Sequence, residues 1–267
     1  MRRSPAVAGQ FYHGAADKLI QQVETYVDKN AKQEKVLGIV SPHAGLIYSG
    51  HVAGAVYSAI DFPDTFILIG PNHTGLGTKI SLMESGEWEM PTGTLKIDEQ
   101  ISYKLAMNVP IIKKDVQAHM FEHSLELQLP FITYFSKDAK IVPIVILSAT
   151  TGECRILGEG IAKTIKELGC SAVVVASSDM SHYVSDDVAK QKDKKAIERI
   201  LSLDPEGLYE TVTKERISMC GYLPAVTMLF AANALGARSA RLVKYATSAE
   251  VSGDYDHVVG YAGIVLR

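Results

Sequence analysis

Three apolar, strand-like stretches of this chain run straight into a histidine. They are Val36-Leu37-Gly38-Ile39-Val40-Ser41-Pro42-His43, Phe66-Ile67-Leu68-Ile69-Gly70-Pro71-Asn72-His73 and Ala172-Val173-Val174-Val175-Ala176-Ser177-Ser178-Asp179-Met180-Ser181-His182. In an open α/β sheet, chemistry gathers in the crevice beyond the carboxyl ends of the strands. Three such ends bearing imidazoles can converge on one point. Imidazole ligates zinc, copper, iron and nickel, and it moves protons near neutral pH. A metal or acid–base site on a sheet scaffold is the first expectation. Pro42 fixes its own φ and restricts Ser41, and Gly45 and Gly50 permit tight turns, so His43 sits in a constrained loop. The bland role for such a histidine is to cap the turn. His73 repeats the design, with Asn72 able to orient the imidazole or donate to a substrate oxygen.

His182 follows Asp179 by three residues. A carboxylate there can set the imidazole tautomer and raise its basicity, which suits a general acid or base. Helix capping by Ser178, Asp179 or Ser181 competes for the same residues. His123 lies in Glu122-His123-Ser124-Leu125-Glu126, which opens a helix, and the helix dipole disfavours its charged form. A neutral imidazole there polarises a substrate oxygen or simply caps. Glu126 reads as a surface or structural residue. Cys220 stands at the mouth of an apolar helix, where thiolates gain a lowered pKa and bind metal. The alternative for a free cysteine is a small buried hydrophobe, and Cys154 and Cys170 are read that way. His51 is a supporting residue beside the first loop, His257 is expected to line the pocket, and Trp88 and Tyr48 to wall it. The chain has no G-x-S-x-G, P-loop, G-x-G-x-x-G, H-E-x-x-H or C-x-x-C pattern. The site must therefore be assembled from distant loops.

The elements that carry these loops follow from periodicity. Helices are expected over 15–28, 51–60, 124–134, 186–201, 205–212 and 222–235, the last closed by Gly236. Strands are expected over 36–41, 65–70, 141–147, 172–177, 241–247 and 258–266, with shorter strands in 78–97 broken at Pro91-Thr92-Gly93. Pro143 demotes 141–147 toward a sheet edge or a bulge. Thr150 and Glu153 spell a capping box for a helix ending at Gly169. The alternation points to an α/β fold, one domain with helices on both sides of a mixed central β-sheet.

Composition narrows the classes. Of 267 residues, 47% are hydrophobic and 21% charged, as in globular proteins. A net charge of −3 offers no basic surface for nucleic acid. No apolar run approaches a membrane span, and the basic start Met1-Arg2-Arg3 lacks the apolar core of a signal peptide. Three cysteines argue against a disulfide framework and for a reducing, cytoplasmic setting.

Taken together and in order, several motifs resemble one family nearly end to end. They are Arg3-x-Pro5-Ala6-Val7-Ala8-Gly9-x-Phe11-Tyr12, Pro42-His43-Ala44-Gly45, Gly70-Pro71-Asn72-His73, Glu122-His123-Ser124-x-Glu126, Ser177-Ser178-Asp179-x-Ser181-His182 and Cys220-Gly221. This pattern resembles the Memo-like family, whose microbial members are often called AmmeMemoRadiSam system protein B. The resemblance implies a single domain over residues 1–267 with the fold of the class III extradiol dioxygenases (LigB-like), non-haem Fe(II) enzymes that open catechol rings. It implies His43 and His73 as metal ligands, with Cys220 third where the dioxygenases use a glutamate. His123 and His182 match pocket histidines, with Asp179 beside His182. A thiolate softens the ligand set, so the implied ion is Fe(II) or copper, with zinc permitted. The implied activity is metal-dependent redox or oxygenase-type chemistry on a small-molecule substrate. Two other readings stand beside it. One is a binding module for peptides or partner proteins, the family's system name pointing to a radical-SAM partner. The other is a hydrolytic zinc site. No arginine lies in the pocket motifs, which argues against phosphate recognition.

Overall fold

Uninterrupted apolar runs mark strands that are covered on both faces. The computed structural model, which describes residues 1–267, shows this arrangement. Its strands are β1 (Arg2–Arg3), β2 (Gly38–Ser41), β3 (Thr65–Pro71), β4 (Ile80–Leu82), β5 (Glu87–Met90), β6 (Gly93–Lys96), β7 (Lys113–Lys114), β8 (Lys140–Ile146), β9 (Ala172–Ser177), β10 (His182–Val184), β11 (Ala240–Thr247) and β12 (Val258–Leu266). Its helices are α1 (Ala16–Glu24), α2 (Leu46–Ser58), α3 (Glu99–Asn108), α4 (Gln117–Met120), α5 (Leu129–Phe135), α6 (Thr151–Leu168), α7 (Asp186–Leu201), α8 (Pro205–Lys214), α9 (Tyr222–Leu235) and α10 (Ala249–Ser252).

One sheet runs in the order β10-β12-β2-β9-β3-β8-β4-β7, with β11 paired to β12. The central strands β2, β9, β3 and β8 are parallel, and β12 and β4 flank them antiparallel. A mixed α/β sheet is thus present, as the alternation of elements predicts. Along β3, Phe66 and Leu68 enter one buried layer while Ile67 and Ile69 enter the other. Helices α3, α6, α7, α8 and α9 cover the second face; α1, α2 and α5 cover the first. A small sheet, β1-β5-β6, extends the first layer. No helix is long and apolar enough to cross a membrane.

Several helix ends follow local chemistry. The capping box at α6 is formed: the Thr150 hydroxyl accepts from Glu153 N–H, and the Glu153 carboxylate accepts from Thr150 N–H. Gly169 and Gly236 terminate α6 and α9 with left-handed φ of 61° and 102°.

Three expectations need correction. Helix α2 begins at Leu46 rather than 51. Gly50 reads as a turn residue in sequence, but a Cβ there, as at Gly54, would strike Tyr26, so both are packing positions inside the helix. Strand β8 is interior, not an edge, despite Pro143. The Pro143 carbonyl accepts from Met83 N–H just beyond the end of β4, so its imino nitrogen faces that side too. The parallel β3–β8 ladder runs on, and only the return bond to Met83 is missing. The expected helix over 124–134 is a 3₁₀ turn (Glu126–Gln128) followed by α5.

Candidate metal centre

Strands β2 and β3 flank β9, and all three are parallel, so their carboxyl ends open side by side. His43 leaves β2, His73 leaves β3, and Ser178-Asp179 leaves β9. The rings of His43 and His73 lie 5.3 Å apart. Cys220 reaches the same point from the loop before α9. Its sulfur lies 3.3 Å from His43 Nε2. The ligand atoms of His43, His73 and Cys220 all fall within 4.8 Å of one another. Gly221 makes this approach feasible: a Cβ there would stand 2.3 Å from the Ser177 carbonyl oxygen.

Hydrogen-bond bookkeeping assigns each tautomer. The Ser177 hydroxyl donates its single proton to the Ser124 carbonyl at 2.6 Å and accepts from Gln128 Nε2 at 2.9 Å. The His43 Nδ1 contact to that hydroxyl, 2.9 Å, must therefore be a donation by the imidazole. Gln128 is fixed in turn, donating to the Pro42 carbonyl and accepting from Tyr57. His73 donates Nδ1–H to the buried Glu122 carboxylate at 2.8 Å. His182 Nδ1–H meets two carbonyls, of Met180 and Ser218, both at 2.8 Å. In all three rings the proton is held on Nδ1, which leaves Nε2 as the atom for ligation or proton transfer. Imidazoles held this way through the far nitrogen are the usual arrangement behind metal ligands.

Burial sets the charges. It drives the His43 pKa well below the ordinary value, helped by His73 and His123 nearby. Burial likewise lowers His123. At His73 burial opposes the charge, but the bond and charge of Glu122 outweigh it and raise the pKa. Glu122 itself is penalised by burial, yet His73 and backbone N–H groups pull its carboxyl down to about 2. Asp179 is raised by burial. The Cys220 thiol is raised, not lowered as a helix N-terminus suggests, because burial and the neighbouring Asp179 disfavour its thiolate.

All six sequence-predicted site residues, His43, His73, His123, Asp179, His182 and Cys220, line one cavity of about 680 Å³. His123 stacks on His73 at 4.7 Å and meets Phe11 edge-on. Asp179 does not hydrogen-bond His182. It accepts the backbone N–H groups of His43 and Ala44, so it shapes the first loop, while two carbonyls set the His182 tautomer. Asp179, His182 and Cys220 nevertheless offer ligand atoms within 4.8 Å of one another. Tyr48 and His257 line the cavity as expected. Trp88 does not; it is buried beneath the Arg3 guanidinium, 4.0 Å from its ring centre. His51 lies outside the lining, within α2. Sequence reading passed over Glu122, Ser177 and Gln128. Glu122 and Ser177 lie inside motifs already noted, but only the tertiary contacts reveal what they hold.

A family model described as "Memo-like protein" matches residues 3–265. This chain belongs to the Memo-like family. A MEMO1 family protein of Pyrobaculum aerophilum is 43% identical, covering 99% of this chain and 98% of that protein. One of Methanopyrus kandleri is 40% identical over 100% and 99%, and one of Saccharolobus solfataricus is 42% identical over 98% of each. Among solved structures, an uncharacterized protein of Escherichia coli K12 matches with a TM-score of 0.57 at 15% identity, covering 86% of this chain and all of that one. That likeness is one of fold alone.

Proposed function

We propose that this Memo-like protein is a metal-dependent redox or oxygenase-type enzyme acting on a small molecule. The observation that carries the reading is the convergence of His43 Nε2, His73 Nε2 and Cys220 Sγ, the two rings held through Nδ1 by Ser177 and Glu122. The donor set fits a transition-metal ion, and two imidazoles with a thiolate favour Fe(II) or copper over the hard cations, with Zn(II) also accommodated. Such an ion would supply one-electron chemistry or Lewis acidity, with coordination positions left for a small ligand.

The remaining residues do work that needs no metal. His182, its Nδ1–H fixed by two carbonyls, turns Nε2 toward the cavity as a proton acceptor and donor. His123, kept neutral by burial, is placed to polarise a bound oxygen of the substrate. Asp179 keeps the His43 loop in place through two backbone N–H groups. The three cysteines are all free, which suits work in a reducing, cytoplasmic setting.

The test is metal content after anaerobic purification. The protein should hold about one equivalent of iron or copper, lost in His43→Ala and in Cys220→Ala. No metal in the parent, and no uptake on reconstitution with Fe(II), Cu(I) or Zn(II), overturns the reading.

A further inference from the structure

The outer half of the cavity has a chemistry of its own. Tyr183 is an exposed tyrosine, 77% accessible, whose backbone sits at φ +56°. It is the extra residue of a bulge, for His182 pairs with Val259 and Val184 with Val258, which leaves Tyr183 without a partner across β12. A bulky aromatic side chain in the left-handed region is strained, and such bulges re-aim side chains beside functional sites. Here the strain gains little burial; it puts an aromatic ring at the cavity wall. Tyr48, on the first turn of α2, stands in the same wall and is also exposed.

Asp254 supplies the charge. Its Oδ1 is occupied by the backbone N–H groups of Asp256 and His257. Its Oδ2 has no hydrogen-bond donor; the nearest cationic candidate is His257 Nδ1 at 4.0 Å. No lysine or arginine lines the cavity. The outer wall therefore offers a carboxylate oxygen and aromatic faces, and no lysine or arginine to hold an anion.

We propose that the outer cavity selects a small organic ammonium compound, its charged head at Asp254 Oδ2 and its hydrocarbon body against Tyr183 and Tyr48. A cation is attracted both by the carboxylate and by the negative faces of the rings. An anion would meet the carboxylate without a lysine or arginine to offset it. The inference rests on the cavity being the substrate site of the proposed enzyme.

The experiment is a calorimetric titration of the full-length protein, its metal content recorded, with three matched probes: phenethylammonium, 2-phenylethanol and 3-phenylpropionate. The amine should bind about tenfold more tightly than either analogue. Asp254→Asn should erase that preference. Tyr183→Ala should weaken amine binding severalfold while Tyr183→Phe retains it, with melting curves confirming that each variant is folded. Carboxylate binding equal to or tighter than amine binding, a preference that survives Asp254→Asn, or no amine binding at all would overturn the inference. Lost preference with metal retained refutes the amine subsite and leaves the metal centre standing. Amine preference without metal does the reverse.

Discussion

Glu122 shows how much a single side chain settles at this site. One oxygen accepts from His73 Nδ1 and from Ser124 N–H; the other accepts from His73 N–H. A carboxylate offers lone pairs on both oxygens, and an amide has only one acceptor atom. In Glu122→Gln the NH₂ group must therefore face either the His73 backbone N–H or the imidazole and Ser124 N–H groups; the second placement removes the acceptor that fixes the His73 tautomer, and the first leaves the ring only a weaker, uncharged acceptor. The expected result is a 10–100-fold drop in metal affinity in competition with a chelator, the range usual for losing such a supporting partner. Unchanged affinity would mean that Glu122 merely folds the loop. The same residue marks the limit of sequence reading at this scale. His43, His73 and Cys220 could be singled out because two strand ends repeat one imidazole-bearing design, the cysteine stands at a helix mouth, and the family resemblance joins the three. Glu122 could not, since a carboxylate beside a histidine is ordinary in sequence. Ser177 and Gln128 acquire roles only when β9 and the 3₁₀ turn before α5 meet behind His43.

At the scale of elements, the close approach of the α9 loop to the end of β9 decides where the thiol stands. Gly221 N–H donates to the Ser178 hydroxyl at 3.0 Å, and a Cβ at 221 would collide with the Ser177 carbonyl and the Ser178 side chain. Backbone cannot yield as a flexible side-chain tip can. Gly221→Ala should cost about 1–3 kcal/mol in chemical denaturation. It should also weaken metal retention, because Cys220 moves with the loop; a variant of full stability and full metal content would refute this account. Element boundaries were legible where the signal is local. The ends of β9, α7, α9 and β12 match the periodic runs and their capping or stop residues. They were illegible where distant packing overrides propensity. The glycines of α2 face Tyr26, and Pro143 sits inside a sheet because its neighbour strand stops short. The short strand β10, which carries His182 and Tyr183, has no pattern of its own and exists only because β12 receives it.

At the scale of the whole molecule, two charge networks tie distant parts of the chain to the body. Glu34, ahead of β2, accepts from Arg241 on β11 and from Arg267 at the far end, each at 2.6 Å. The Arg241 bond, against a burial penalty and with help from Arg267, lowers its carboxyl from the ordinary 4.5. A carboxyl lowered in the folded state stabilises fully above its unfolded value and loses that contribution as pH falls through the folded value. Wild type should therefore exceed Glu34→Gln by at most about 1 kcal/mol at neutral pH, given the partial exposure of the pair. The gap should close on acidification below 4.5 in denaturation curves, and a constant gap would exclude the mechanism.

The second network is buried and closer to the site. Arg3 is fully enclosed and donates to Glu126 and to the carbonyls of His119 and Glu122. Glu126 also accepts from the N–H groups of Ala6 and Val7 and from the Tyr12 hydroxyl. The opening segment is thereby fastened to the stretch that carries Glu122 and His123, and it delivers Phe11 against His123. Removing one partner of a buried ion pair leaves a charge without compensation, which destabilises more than removing both. Arg3→Met should lose about 3 kcal/mol, for Glu126 keeps its three other donors. Glu126→Gln alone should also destabilise, because Arg3 stays buried with a weaker acceptor. The double variant should lose clearly less than the sum of the singles when compared by denaturant titration. Additive losses would show that the guanidinium acts through its carbonyl contacts and its stacking on Trp88, and not through the charge of Glu126.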